Sequence, residues 1–75
     1  MNNEELAKKI VGIFDWWELD NEQDNYAETL SALNSNNQKD IKTMINYFSE
    51  YVKTDFKKEQ TQIILEELKK RLKEN

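Results

Sequence analysis

Residues 38–73 read QKDIKTMINYFSEYVKTDFKKEQTQIILEELKKRLK, and the phase of their apolar positions decides the fold. Ile41, Met44, Ile45, Phe48, Tyr51 and Val52 recur at helical spacing. So do Ile64, Leu65, Leu68 and Leu72. Placed in one frame of about 100° per residue, the first stripe centres at about 280° and the second at about 125°. One straight rod would bury nearly opposite faces at its two ends. A break near Lys53–Asp55 lets both stripes turn inward, so two helices are expected, over about 38–53 and about 56–73. Asn37 is the expected N-cap of the former, and Thr54 or Asp55 that of the latter.

The same reading extends toward the N-terminus. Asn2 with Glu5 matches a capping box. Leu6, Ile10, Ile13, Phe14 and Trp17 then form one stripe, giving a helix over about 3–18. Leu19 to Asp24 reads as an acidic loop. Asn25 with Glu28 repeats the cap signature before a shorter helix over about 25–33, with Tyr26, Leu30 and Leu33 on its apolar face. Asn34-Ser35-Asn36-Asn37 ends it, since Asn tolerates the left-handed C-terminal position next best after Gly. The chain has no proline and one glycine, and no strand alternation flanks the Asn-rich stretches. The expectation is an all-α, small compact bundle of three to four helices, with residues 1–75 as a single domain.

Length and composition narrow the function. A 75-residue chain buries only about 60% of its unfolded surface, so its core is thin. Three Phe, three Tyr and two Trp supply large anchors. Without cysteine or histidine, neither disulfides nor a zinc site can staple the fold, which favours a reducing compartment. Met1-Asn2-Asn3-Glu4-Glu5 lacks the pattern of a signal peptide, and the apolar run Ile10–Phe14 is too short to span a bilayer. A cytoplasmic location is expected. Heavy use of Asn, Lys, Ile and Glu suggests an AT-rich bacterial or phage genome.

General acid–base and cysteine chemistry lose their usual carriers, and Ser31, Ser35 and Ser49 have no histidine to activate them. No enzyme and no cofactor is expected. Asp20 to Ser31 places acids where a calcium-binding EF-hand loop wants them. Asn25 stands where that loop needs glycine, however, and Ser31 where it needs the bidentate glutamate, so no metal is expected.

Charge is distributed unevenly. No Lys or Arg occurs between Lys9 and Lys39, while Asp15, Glu18, Asp20, Glu22, Asp24 and Glu28 all fall there. Residues 53–75 carry seven basic and five acidic groups. The net charge of −4 disfavours nucleic acid and anionic membranes as partners. It favours a protein with a basic surface. Trp16 lies off the stripe of the first helix, and its side chain leans back over the turn that holds Gly12. Gly12, Asp15, Trp16, Glu18, Leu19, Asp20, Glu22 and Asp24 are therefore the expected partner-binding patch, with Trp16 as anchor. The bland account has Trp16 covered by another helix. Phe56 and Ile63, opposite the last stripe, are the second candidate surface, and Tyr47 is expected half-buried beside Tyr51. Glu66–Lys70 and Glu67–Arg71 read as i,i+4 pairs on a solvated helix end.

Roughly residues 26–73 also resemble a short helical module of accessory proteins from bacterial conjugative elements and phages. Leu30-Ser31-Ala32-Leu33, then Ile41, Met44, Ile45 and Phe48, then Leu65, Glu66, Glu67, Leu68 and Leu72 carry the resemblance. It implies no catalytic motif and a setting among small mobile-element proteins, including host-defence inhibitors. The expected function is docking on another macromolecule, as an inhibitor of a nucleic-acid enzyme or host-defence protein. A self-associating homodimer is the alternative, and a DNA-binding regulator using the basic C-terminal helix is the third.

Overall fold

The capping box at the N-terminus forms as its spacing predicts. The Asn2 Oδ1 atom accepts the Glu5 backbone N–H at 2.8 Å, and Asn2 Nδ2 donates to Glu5 Oε1 at 3.2 Å. One of the open backbone donors at the helix start is thereby satisfied, and the return contact joins the two side chains instead of reaching the Asn2 N–H. The structure, a computed structural model, describes residues 1–13, 22–54 and 57–73. Four α-helices and no strand occur among them: α1 (Asn3–Ile13), α2 (Glu22–Asn34), α3 (Gln38–Val52) and α4 (Lys58–Arg71). The chain is all-α. Residues 14–18, which the apolar stripe assigns to the first helix, lie outside the described residues.

The helices pair as two units, 1–37 and 38–75. In the first, α1 packs on α2. Asn3 Nδ2 at the start of α1 donates to Asn34 Oδ1 at the end of α2, 2.9 Å away, so the pair is antiparallel. In the second, α3 packs on α4. Here Gln38, the first residue of α3, reaches the far end of α4. Its Nε2 donates to the Arg71 carbonyl at 3.1 Å, and its Oε1 accepts the Lys73 N–H at 2.6 Å. One side chain thus satisfies two backbone groups at a helix terminus that the helix itself leaves open.

The turn after α2 is a Schellman motif. The Asn36 N–H donates to the Leu33 carbonyl and the Asn37 N–H to the Ala32 carbonyl, both at 3.1 Å, with Asn36 at φ 54°. The Asn-rich stretch ends the helix as expected, because a short polar side chain tolerates the left-handed conformation better than most.

The break between α3 and α4 is present, but its chemistry differs from the expected cap. Thr54 closes α3 instead of opening α4: its N–H and Oγ1 both donate to the Tyr51 carbonyl, at 3.0 and 2.7 Å. Asp55, the other candidate, lies outside the described residues. Lys57 is the N-cap, at φ 47° and ψ 41°, with no side-chain cap hydrogen bond. A left-handed lysine costs about 1–2 kcal/mol, so the turn is held by the packing of the helices it joins.

The start of α2 is a second correction. It begins at Glu22, not Asn25, because acidic residues in a first turn interact favourably with the helix dipole. Glu22, Gln23 and Asp24 are therefore helical instead of loop. Asn25 is not a cap but a buried position one turn in, and its carbonyl accepts the Thr29 hydroxyl at 2.7 Å. The buried face of α2 is Asn25, Thr29, Ala32 and Leu33, with Tyr26 and Leu30 only half-buried. In α1 the buried residues are Leu6, Ala7 and Ile10, and Ile13 is half-buried. Phe14 and Trp17 lie outside the described residues. In α3 the expected Ile41, Met44, Ile45 and Phe48 are buried, with Tyr51 and Val52 half-buried. In α4 Thr61 and Glu67 join Ile64, Leu65 and Leu68, while Leu72 is extended, half-buried and past the helix end. Thr61 Oγ1 has no hydrogen-bond partner among the described residues.

Candidate binding surface

Among the described residues, Glu67 is the group whose ionisation the fold perturbs most clearly. Its side chain is 10% exposed and lies 2.7 Å from Lys70 Nζ and 3.4 Å from Arg71 Nη1. The Lys70 hydrogen bond, the largest of several from cationic groups that include Arg71, outweighs desolvation and lowers its pKa to about 2. The expected solvated helix end is thus corrected. Lys70 pairs with Glu67 instead of Glu66, because at i,i+3 it meets a carboxylate already held against the helix. The Arg71 Nη1 atom also donates to the Glu67 carbonyl at 2.8 Å. These are structural contacts that tie down the last turn of α4, where Lys69, Lys70 and Arg71 also complement the dipole.

A pH dependence follows. A depressed carboxylate pKa adds stability that is fully present above the unfolded value of about 4.3 and is lost as pH falls through the folded value. Thermal melts are expected to weaken between about pH 4 and about pH 2, as Glu67 takes up its proton. Glu67→Gln should flatten that part of the profile. A profile unchanged by the substitution would refute the assignment.

The predicted patch is only partly on the described residues. Asp15, Trp16, Glu18, Leu19 and Asp20 lie outside them. Gly12 is exposed near the end of α1, and Asp24 is exposed near the start of α2. Glu22 is the first residue of α2. The fold therefore brings Gly12 and Asp24 to the same end of one helical pair. A Cβ built on Gly12 meets nothing within 4 Å. Gly12 serves no close backbone approach among the described residues. Gly12→Ala should accordingly raise stability, by at most the gain of about 0.5–1 kcal/mol that the exchange gives in a helix interior, since Gly12 is next to the last described residue of α1. A chemical-denaturation midpoint that falls would show that something packs against that position.

A concavity that the sequence reading missed lies on the same pair. It measures about 410 Å³ and is lined by Lys8, Val11, Gln23 and Tyr26. Tyr26 is expected on the apolar face with Leu30 and Leu33. Because the buried face of α2 runs through Asn25 and Thr29, Tyr26 is turned to the flank and half-buried. The signal in the sequence was weak: Thr29 and Asn25 look like surface residues until a partner helix covers them.

The unit 1–37 carries two basic and eight acidic residues, and the unit 38–75 nine basic and seven acidic. On α3, Tyr47 is 39% exposed. Its hydroxyl lies 3.2 Å from that of Tyr51, so it is paired at the surface as well as solvated. Ile63 on α4 is 45% exposed, as expected of a lone apolar surface residue, and Phe56 lies outside the described residues. No cluster of three or more potential metal ligands occurs among the described residues. From Glu22 onward the EF-hand-like stretch is helical, a conformation that a calcium loop does not take. No described helix is long and apolar enough to cross a membrane. No protein-family model, curated protein or solved structure matches the chain.

Proposed function

We propose that the chain is a non-catalytic binding module that docks through its acidic helical pair on a basic surface of another protein. The observation that carries this reading is the 29-residue gap without Lys or Arg between Lys9 and Lys39. Six carboxylates fall in that gap, and the summed field of such a cluster of like charge attracts cationic surfaces. The same carboxylates suit occupation of a phosphate-binding groove. The module then acts as an inhibitor of a nucleic-acid enzyme or a host-defence protein, from a phage or mobile element, in the bacterial cytoplasm. The likeness of residues 26–73 to accessory modules of such elements supports that setting. Trp16, with Asp15, Glu18, Leu19, Asp20, Glu22, Asp24 and Gly12, forms the contact patch.

Charge reversal tests the reading. A partner captured from bacterial lysate at low salt is purified, and its association with the module is followed by stopped-flow. Asp20→Lys with Glu22→Lys should slow association by about tenfold or more at low ionic strength, and the defect should shrink as salt rises. Trp16→Ala should weaken the complex by about 2 kcal/mol while leaving stability within about 0.5 kcal/mol. Association rates that ignore both substitutions would overturn it. Self-association is the second reading, favoured by the exposure of Tyr47 and Ile63. Light scattering separates the two, with a monomer expected.

A further inference from the structure

We propose that the end of the α3–α4 pair where α3 starts and α4 finishes contacts the phosphate backbone of a nucleic-acid duplex, through Lys39, Lys42, Lys69 and Lys73. The inference does not rest on the acidic-docking reading, because every group it uses belongs to the unit 38–75. The fold brings these lysines together from distant parts of the sequence. Gln38 bonds to the Arg71 carbonyl and to the Lys73 N–H, 35 residues away, and so sets the first turn of α3 beside the last turn of α4. At about 1.5 Å of rise per residue, Lys42 and Lys69 lie within about 6 Å of that tie along the helix axes. Phase puts them on one side. Lys42 follows buried Ile41, and Lys69 follows buried Leu68, each by one position. In an antiparallel pair whose buried stripes face each other, positions one past each stripe share a flank. Positions one before, such as Tyr47 and Glu67, share the other. Lys39 neighbours Lys42 at i,i+3. All four lysines are exposed. Among the described residues, the ammonium groups of Lys39, Lys42 and Lys69 make no hydrogen bond or ion pair, whereas Glu67 holds Lys70 and Arg71.

Charge selects a polyanion, and the make-up of the flank selects a nucleic acid. Asn46, Gln62 and Glu66 stand on the same flank, all exposed and all polar. A stable contact with an acidic protein draws on an apolar or aromatic anchor at its centre. Contacts with nucleic acid are polar, wet and positively charged, and Lys, Asn and Gln are among the side chains that meet phosphates. A single strand would call for an aromatic ring to stack its bases, and the exposed Tyr47 is on the opposite flank. A duplex needs only cations along its phosphates, about one charge per 1.7 Å of axis. The net charge of −4 conceals the site, since the unit 38–75 holds nine basic and seven acidic residues and the unit 1–37 two and eight. Glu66 opposes binding, which gives the test a second sign.

The test is fluorescence anisotropy of a short labelled DNA duplex of mixed sequence, titrated with the full chain from low to moderate salt. Affinity should fall as salt rises, with a slope of about −3 in log K against log salt for three or four phosphates neutralised. Lys42→Glu with Lys69→Glu should weaken binding at least about tenfold, and Glu66→Gln should strengthen it by about twofold. Lys57→Glu with Lys58→Glu makes the same charge change at the far end of the pair and should alter binding by less than about threefold. All five positions are exposed, so circular dichroism should stay unchanged. Equal losses from the two double substitutions would show that overall charge governs binding, and would overturn the proposal. So would a duplex that fails to bind at low salt, a single strand that binds more tightly than the duplex, or a polyglutamate peptide that binds as tightly.

Discussion

Phe48→Ala should leave the chain largely unfolded at room temperature, with most of its helical circular dichroism lost. Phe48 is fully buried on α3 beside Met44 and Ile45, and the ring of Tyr47 meets it edge-on at 5.4 Å. Truncating a core phenylalanine costs about 3–5 kcal/mol, from lost transfer energy and from the cavity left behind. A chain of this size has only about 3–5 kcal/mol in total. Cavity and reserve are therefore of the same order, and the substitution removes most of the folded population. Native-like melting of Phe48→Ala would mean that α3 is rotated from the phase described.

Ile10→Ala should destabilise by about 2–5 kcal/mol, the range for truncating a fully buried aliphatic side chain. Ile10 has no exposed surface, and Leu6 and Ala7 on the same helix share its burial. Ile63→Ser provides the contrast. Ile63 is 45% exposed, so its loss should change stability by no more than about 0.5 kcal/mol. Both are isoleucines on amphipathic helices, and urea midpoints compare them directly. A similar cost for the two would show that a surface now described as open is covered in solution.

Much of the fold was legible because helix phase is a local property. The stripe Ile41, Met44, Ile45 and Phe48 is nearly pure in residue type, so a period of about 3.6 residues stands out and places the buried face without further information. The cap at Asn2–Glu5 and the left-handed Asn36 were legible for the same reason, since each is a contact within about one turn. The break between α3 and α4 was legible from phase alone, although Lys57, which caps α4, carries no cap signature. A residue forced into a left-handed conformation by its neighbours' packing leaves no mark in local composition.

The candidate surface was less legible. The acidic gap between Lys9 and Lys39 needs only counting. The α1–α2 concavity needs the face of α2, and that face was misplaced because Asn25 and Thr29 are buried where polar residues are ordinarily exposed. With the phase set by Leu30 and Leu33 alone, Tyr26 reads as core. Rotated to its actual place, it becomes a wall of the concavity.

Residue type and spacing alone were enough to establish helices, their approximate limits, the inward faces of α1 and α3, and the lack of histidine and cysteine chemistry. Those features depend on side chains within one or two turns of each other. The burial of Glu67, the polar face of α2, the tie from Asn3 to Asn34 and the Gln38 cap on the end of α4 needed the assembled helices. Gln38 and Arg71 are 33 residues apart, and nothing near either one signals the other. A polar group is stable in the interior only when a partner satisfies it. Where that partner comes from is set by how the chain folds back on itself, which one-dimensional periodicity does not encode.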